Sequence, residues 1–104
     1  MNQIYKKKSY VIFRVRDGYI IHNKSKMFSK GHTHITNFDT AKYLINLSIR
    51  KTIPNHLSDY LLESLIRISG DEVYSKKIRA MRERQKLEKR ILTQKNSKKT
   101  HLDA

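Results

Sequence analysis

Three histidines are the residues whose types and spacing most directly suggest chemistry. His32 and His34 form an H-x-H pair in the segment GHTHIT, and His22 ends an apolar run just before it. Two imidazoles on one strand face, joined by a third from a neighbouring strand, can hold a divalent metal. A tyrosine nucleophile, Tyr43, Tyr60 or Tyr74, would then make metal-assisted phosphoryl transfer conceivable. No acidic residue lies near the pair to complete such a site. The expected role of His22, His32 and His34 is therefore hydrogen bonding within the fold, with metal-dependent cleavage the lesser alternative. The chain has no cysteine and only three glycines. That excludes a thiolate zinc site and a disulfide framework, and no glycine-rich phosphate cradle is present. The expectation is a binding protein with no catalysis and no cofactor.

Charge points to what it would bind. The formal net charge is +14, unevenly placed. Residues 1–36 hold eight Lys and Arg against Asp17 alone, and residues 37–75 are near neutral. Residues 76–99 hold eleven cations against Glu83 and Glu88. The segment RAMRERQKLEKRILTQKNSKK is helical in composition, yet its like charges repel across each turn. A polyanion relieves that repulsion, and each neutralised phosphate releases counterions. Lys76, Lys77, Arg79, Arg82, Arg84, Lys86, Lys89 and Arg90 are the expected phosphate contacts. An acidic protein surface is the alternative partner, and a merely solvated helix is the plain one.

A second candidate surface comes from the run SYVIFRVRDGYIIHN. A two-residue turn at Asp17-Gly18 would fold it into a hairpin. One face would then carry Val11, Phe13, Val15, Ile20 and His22 and read as core. The other would expose Tyr10, Arg14, Arg16 and Tyr19, aromatic and cationic groups of the kind that stack bases and hold phosphates. Covering of that face by a helix is the competing reading. A helix-turn-helix over residues 39–69 is disfavoured, because its reading helix would carry Asp59 and Glu63 with Arg67 the only strong base.

These residues need positioning elements. The hairpin, with GHTHIT as a third antiparallel strand, predicts a small sheet. TNFD can form a capping box ahead of a helix through DTAKYLINLSIRK, which Ile53-Pro54 would end. A second helix over about 56–69 aligns Leu57, Leu61, Leu65 and Ile68, with Gly70 as its expected C-terminal cap. A third begins at Asp71 and keeps an apolar stripe through Val73, Tyr74, Ile78 and Met81. The expected architecture is α+β: a three-stranded antiparallel sheet followed by three helices, the last long and basic. Residues 1–81 would form the compact domain and 82–104 a projecting basic helix and tail. Leu87, Ile91 and Leu92 leave a monomer or a small homodimer open. The longest apolar runs, YVIF and YLI, are far below the roughly 18 residues of a spanning helix, and no secretory signal follows the basic start. A cytoplasmic protein with no membrane contact is expected.

In its size, its lysine-rich composition and segments such as GYIIHN and GHTHI, the chain resembles small basic proteins of phages and conjugative elements. No motif-level family match accompanies that likeness. The resemblance implies inhibition of host defence, anti-CRISPR proteins that block an RNA-guided nuclease being one such occupation. It would act on guide RNA, on a nucleic-acid–protein complex or on an acidic patch of the nuclease. The H-x-H pair also resembles that of the rolling-circle and conjugative endonucleases, but three strands are too few for their catalytic sheet.

Overall fold

A computed structural model describes residues 2–102, with side chains described as far as Leu92. Four strands, β1 (Asn2–Lys7), β2 (Tyr10–Val15), β3 (Gly18–Asn23) and β4 (His32–Ile35), precede α1 (Phe38–Arg50), α2 (Asp59–Ile68) and α3 (Glu72–Leu102). The strands are antiparallel in the spatial order β1-β2-β3-β4. The fold is α+β, with four strands where three were expected. The additional strand is β1, whose lysines disguise it. Tyr5 packs edge-on to the Phe38 ring with centroids 6.0 Å apart, and Lys7 Nζ donates to Asn46 Oδ1 at 2.7 Å. Lysine stems can lie on apolar surface while their heads stay in water, and lysines on an edge strand also discourage pairing with other chains.

The hairpin forms, but its turn is Arg16-Asp17: Val15 pairs with Gly18, Arg14 with Tyr19 and Phe13 with Ile20. Gly18 opens β3 at a φ of +142°, and a Cβ there would come within 2.8 Å of the Ile35 carbonyl oxygen. The close approach of β4 therefore decides where the turn falls.

The two faces of the sheet are the reverse of the expected ones. Tyr10, Ile12, Ile21 and Ile35 join Ala41, Leu44, Ile45, Leu62, Leu65 and Ile78 in one buried cluster. The helices thus cover the face carrying Tyr10, Ile12, Tyr19 and Ile21. Val11, Phe13, Ile20, His22, His32 and His34 share the opposite face, in registered rows. No helix covers that face among the described residues, although Val11 and Ile20 are shielded by their neighbours.

Local signals explain the helix ends. Asn37 caps α1 by accepting from the Thr40 N–H at 3.1 Å, and Ser58 caps α2 through Leu61 N–H. α1 ends at Lys51, which takes a left-handed φ of 57°, and Thr52 N–H then closes on Leu47 O at 3.1 Å. Gly70 is not the left-handed cap of α2. Ser69 closes that helix in an extended conformation, and Gly70 provides room instead, since a Cβ would meet Asn23 Nδ2 at 3.1 Å. No helix among the described residues is long and apolar enough to cross a membrane.

Candidate functional site

The start of α3 is bound tightly to the body. Tyr74 and Ile78 are buried. The Tyr74 hydroxyl donates between the carbonyls of Thr52 at 2.7 Å and Leu47 at 3.2 Å, and burial pushes its phenol far above the ordinary range. Tyr74 is thereby a structural clamp with no free hydroxyl for attack. Asp71 accepts from Tyr74 N–H at 2.9 Å and pairs with Lys51 at 2.5 Å. The Lys51 ammonium, then the helix N–H, hold its carboxyl below the usual carboxylate value. The end of α1 and the start of α3 meet at that pair.

Anchoring continues past Met81, where the compact domain was expected to end. Arg82 forms a forked pair with Asp59, its Nε 2.5 Å from Oδ1 and Nη2 2.9 Å from Oδ2, and also reaches Glu63 at 3.4 Å. This bond depresses the Asp59 carboxyl and raises the Arg82 guanidinium. Gln85 Nε2 donates to Asn55 O at 3.1 Å. Arg82 was expected to contact phosphate; it fastens α3 to α2 instead, because the acids of α2 face it.

The other expected cations divide by position. Arg79 lies 3.8 Å from Glu72 and Lys86 4.0 Å from Glu83, exposed pairs of little strength. Lys89 contributes to the field at Asp59. Lys76, Lys77, Arg84 and Arg90 are exposed. At 100° per residue Lys76, Arg84 and Arg90 fall on the side of α3 away from Tyr74, Ile78 and Gln85, and Lys77 lies on its flank. Val73 (65% exposed), Leu87 (57%) and Ile91 (44%) lie among them. Leu92 instead shares a cleft with Asn55, Leu57 and Asp59 on the body side. The suggested Leu87–Ile91–Leu92 seam is thus split between two sides of the helix.

Tyr10 and Tyr19 do not form an open platform. Tyr10 is 8% exposed, and burial raises its phenol. Tyr19 packs on the Phe38 ring at 5.4 Å. Arg14 and Arg16 are exposed at the hairpin end, and Arg16 lines a cleft of about 320 Å³ with His34 and Tyr60.

The three histidines do meet, on the helix-free face. His22 pairs with His32 across β3 and β4, and the His32 and His34 rings are 5.4 Å apart. Two of them tie down the loop over residues 24–31. His22 Nε2 donates to Lys26 O at 3.0 Å and His32 Nδ1 to Phe28 O at 2.5 Å. The Phe28 ring stacks on His32 with centroids 4.4 Å apart and planes 5° from parallel. Among the described residues no group of three or more His, Cys, Asp or Glu is placed to hold a metal ion. Tyr60, a candidate nucleophile, donates its hydroxyl to the His34 carbonyl, and Tyr43 stands apart on α1, 44% exposed.

The same loop is pinned from beneath. Asn23 is buried, donating to Ile68 O at 2.9 Å while accepting from Ser25 N–H and Oγ. Lys26 Nζ donates to Arg67 O and Ser69 O at the end of α2. The tip of this fixed loop presents Met27, 71% exposed, and Phe28, 39% exposed. Composition and periodicity do not mark this pair as a site; two large apolar residues inside the lysine-rich KSKMFSK are its signal in the sequence. No family model, curated protein or solved structure matches the chain.

Proposed function

We propose that this chain is a non-catalytic binding protein that engages nucleic acid, RNA in preference, or a nucleic-acid–protein complex, through the outward side of α3. The observation that carries this reading is the division of cations on that helix. Arg82 is committed to α2, whereas Lys76, Lys77, Arg84 and Arg90 are exposed and turned from the body, with Glu72 and Glu83 the acids in that sector. Such a surface gains affinity from phosphate neutralisation. By its resemblance to small proteins of phages and conjugative elements, the same binding would serve to inhibit an RNA-guided nuclease.

A second reading has its own support. Val73, Leu87 and Ile91 lie among those cations, and an apolar stripe flanked by positive charge also suits an acidic protein groove. Anisotropy titrations with labelled single-stranded RNA, structured RNA and duplex DNA, at low and physiological salt, separate the two. Ending the chain at Met81 would also remove the Arg82 anchor, so the better variant is Lys76→Glu with Arg84→Glu and Arg90→Glu. Binding that persists at physiological salt and falls more than about tenfold in the variant supports nucleic acid. Weak binding to all three probes, lost in salt, assigns the charge to an acidic protein.

A further inference from the structure

The helix-free face of the sheet is a second interface, and we infer that it takes single-stranded nucleic acid by stacking bases on Phe28, which His32 backs, and on His34. This deepens the nucleic-acid reading and partly rests on it, but its residues are different and lie on a different surface from α3.

Three observations lead there. First, the rings are gathered but not stacked in series. Phe28 lies parallel on His32 at 4.4 Å, and His34 meets His32 edge-on at 5.4 Å and 74°. No base fits between Phe28 and His32, so the part-exposed Phe28 and the exposed His34 are the rings open to one, and their different orientations suit unpaired bases splayed apart rather than a closed duplex. Second, the group is held in place before any partner arrives. His22 and His32 are bonded to loop carbonyls, and Asn23 and Lys26 fix the loop to the end of α2. A prepared surface loses little freedom on binding, which favours affinity. Third, the charge around it is mainly positive, with Asp17 at the hairpin end and Glu63 beside His34 the acids that border it. Lys6 stands on this face opposite Val11, and Lys24 and Lys30 flank the loop tip. Asp17 is the sole acid in residues 1–36.

The occupant must therefore combine negative charge with flat apolar surfaces. A second copy of this chain fails the charge condition, because each copy carries +14. An acidic peptide meets the charge condition but offers no stack of planar groups. A single strand meets both. Beside His34, Tyr60 lines the cleft of about 320 Å³ that also holds Arg16 and Asp17. That cleft provides one further ring, Tyr60, and a cation beside an acid for the next nucleotide.

The test is anisotropy of full-length protein with a fluorescent twelve-nucleotide oligouridine and with a hairpin duplex of the same sequence class, each over a salt series. Phe28→Ala with His34→Ala is compared with Phe28→Tyr and with the α3 charge-reversal variant. Circular dichroism first confirms that each retains its helix content. Base–aromatic stacking predicts at least about a tenfold loss of oligouridine affinity in the alanine double variant. Its salt slope and its duplex affinity should be unchanged, and Phe28→Tyr should bind nearly as the parent does. Unchanged oligouridine affinity in the double variant overturns the inference, as does an equal loss for the duplex. Competition by polyglutamate as effective as by oligouridine overturns it too. If charge reversal on α3 abolishes binding while the double variant does not, the α3 reading stands and this one fails. If the double variant loses oligouridine binding while charge reversal leaves it intact, this inference stands and the α3 reading fails.

Discussion

Asn23 shows how much a single side chain can organise. Its amide bridges the end of β3, the loop over residues 24–31 and the last carbonyls of α2. Asn23→Ala would leave Ile68 O and Ser25 N–H without these partners, a loss of about 1–3 kcal/mol in urea unfolding. A second residue-scale expectation concerns acid. The pairs Lys51–Asp71 and Arg82–Asp59 hold both carboxyls below their ordinary value of 3.8. Their stabilisation is present above that value and is lost as pH falls through the lower folded-state values. Urea midpoints measured from pH 5 downward should decline below about pH 4, and Asp59→Asn with Asp71→Asn should flatten the decline. Lys51 carries an opposing pair of effects. Its left-handed backbone costs about 1 kcal/mol that glycine would remove, but its ammonium holds Asp71. Lys51→Gly should therefore raise the thermal midpoint more at acid pH, once Asp71 is protonated, than at neutral pH, and thermal midpoints across a pH series check the trend.

At the scale of elements, α3 is two helices in one. Ile78 lies wholly inside the body, whereas Ile91 is 44% exposed. Ile78→Ala should cost about 2–5 kcal/mol, and Ile91→Ala should stay within about 0.5 kcal/mol. A chemical denaturation series reads both. The same elements show where sequence reasoning reached and where it stopped. The α+β class, the hairpin, the breaks between helices and the buried start of α3 were legible, because alternation, capping residues and Pro54 mark them. β1 was not, since Lys6, Lys7 and Lys8 hid a strand whose contacts run through Tyr5 and the Lys7 ammonium. The choice of face was not legible either. Both faces of the hairpin carry aliphatics, and Arg14 marked as exposed a face whose preceding residues, Tyr10 and Ile12, are covered by helices. When both faces are apolar, alternation places residues on faces without saying which is buried. The sliding of the turn by one residue had a tertiary cause, the contact of Gly18 with β4.

The whole molecule carries its charge as two positive regions joined through a near-neutral body. The sheet with its loop forms one, and the outer length of α3 forms the other. Binding that uses both should show a steeper dependence of affinity on salt than either alone, each phosphate contact adding about 0.7 to the slope for a single strand. A salt series on the parent chain and on the α3 charge-reversal variant measures that difference as a lower slope in the variant.

The setting of Asn23 also bears on how the protein ages. Asparagine loses its amide when the following backbone nitrogen attacks the side-chain carbonyl to close a succinimide ring. Here that nitrogen belongs to Lys24 and is held on Ser9 O at 2.7 Å, while the Asn23 side chain is out of water. The folded chain is thereby shielded from the reaction, and the unfolded chain is not. A chain that deamidates while open would bring a carboxylate against Ile68 O, where only a donor fits. Time spent unfolded would leave a permanent mark at this position, readable by peptide mapping as a one-dalton gain at Asn23 in chains that no longer refold.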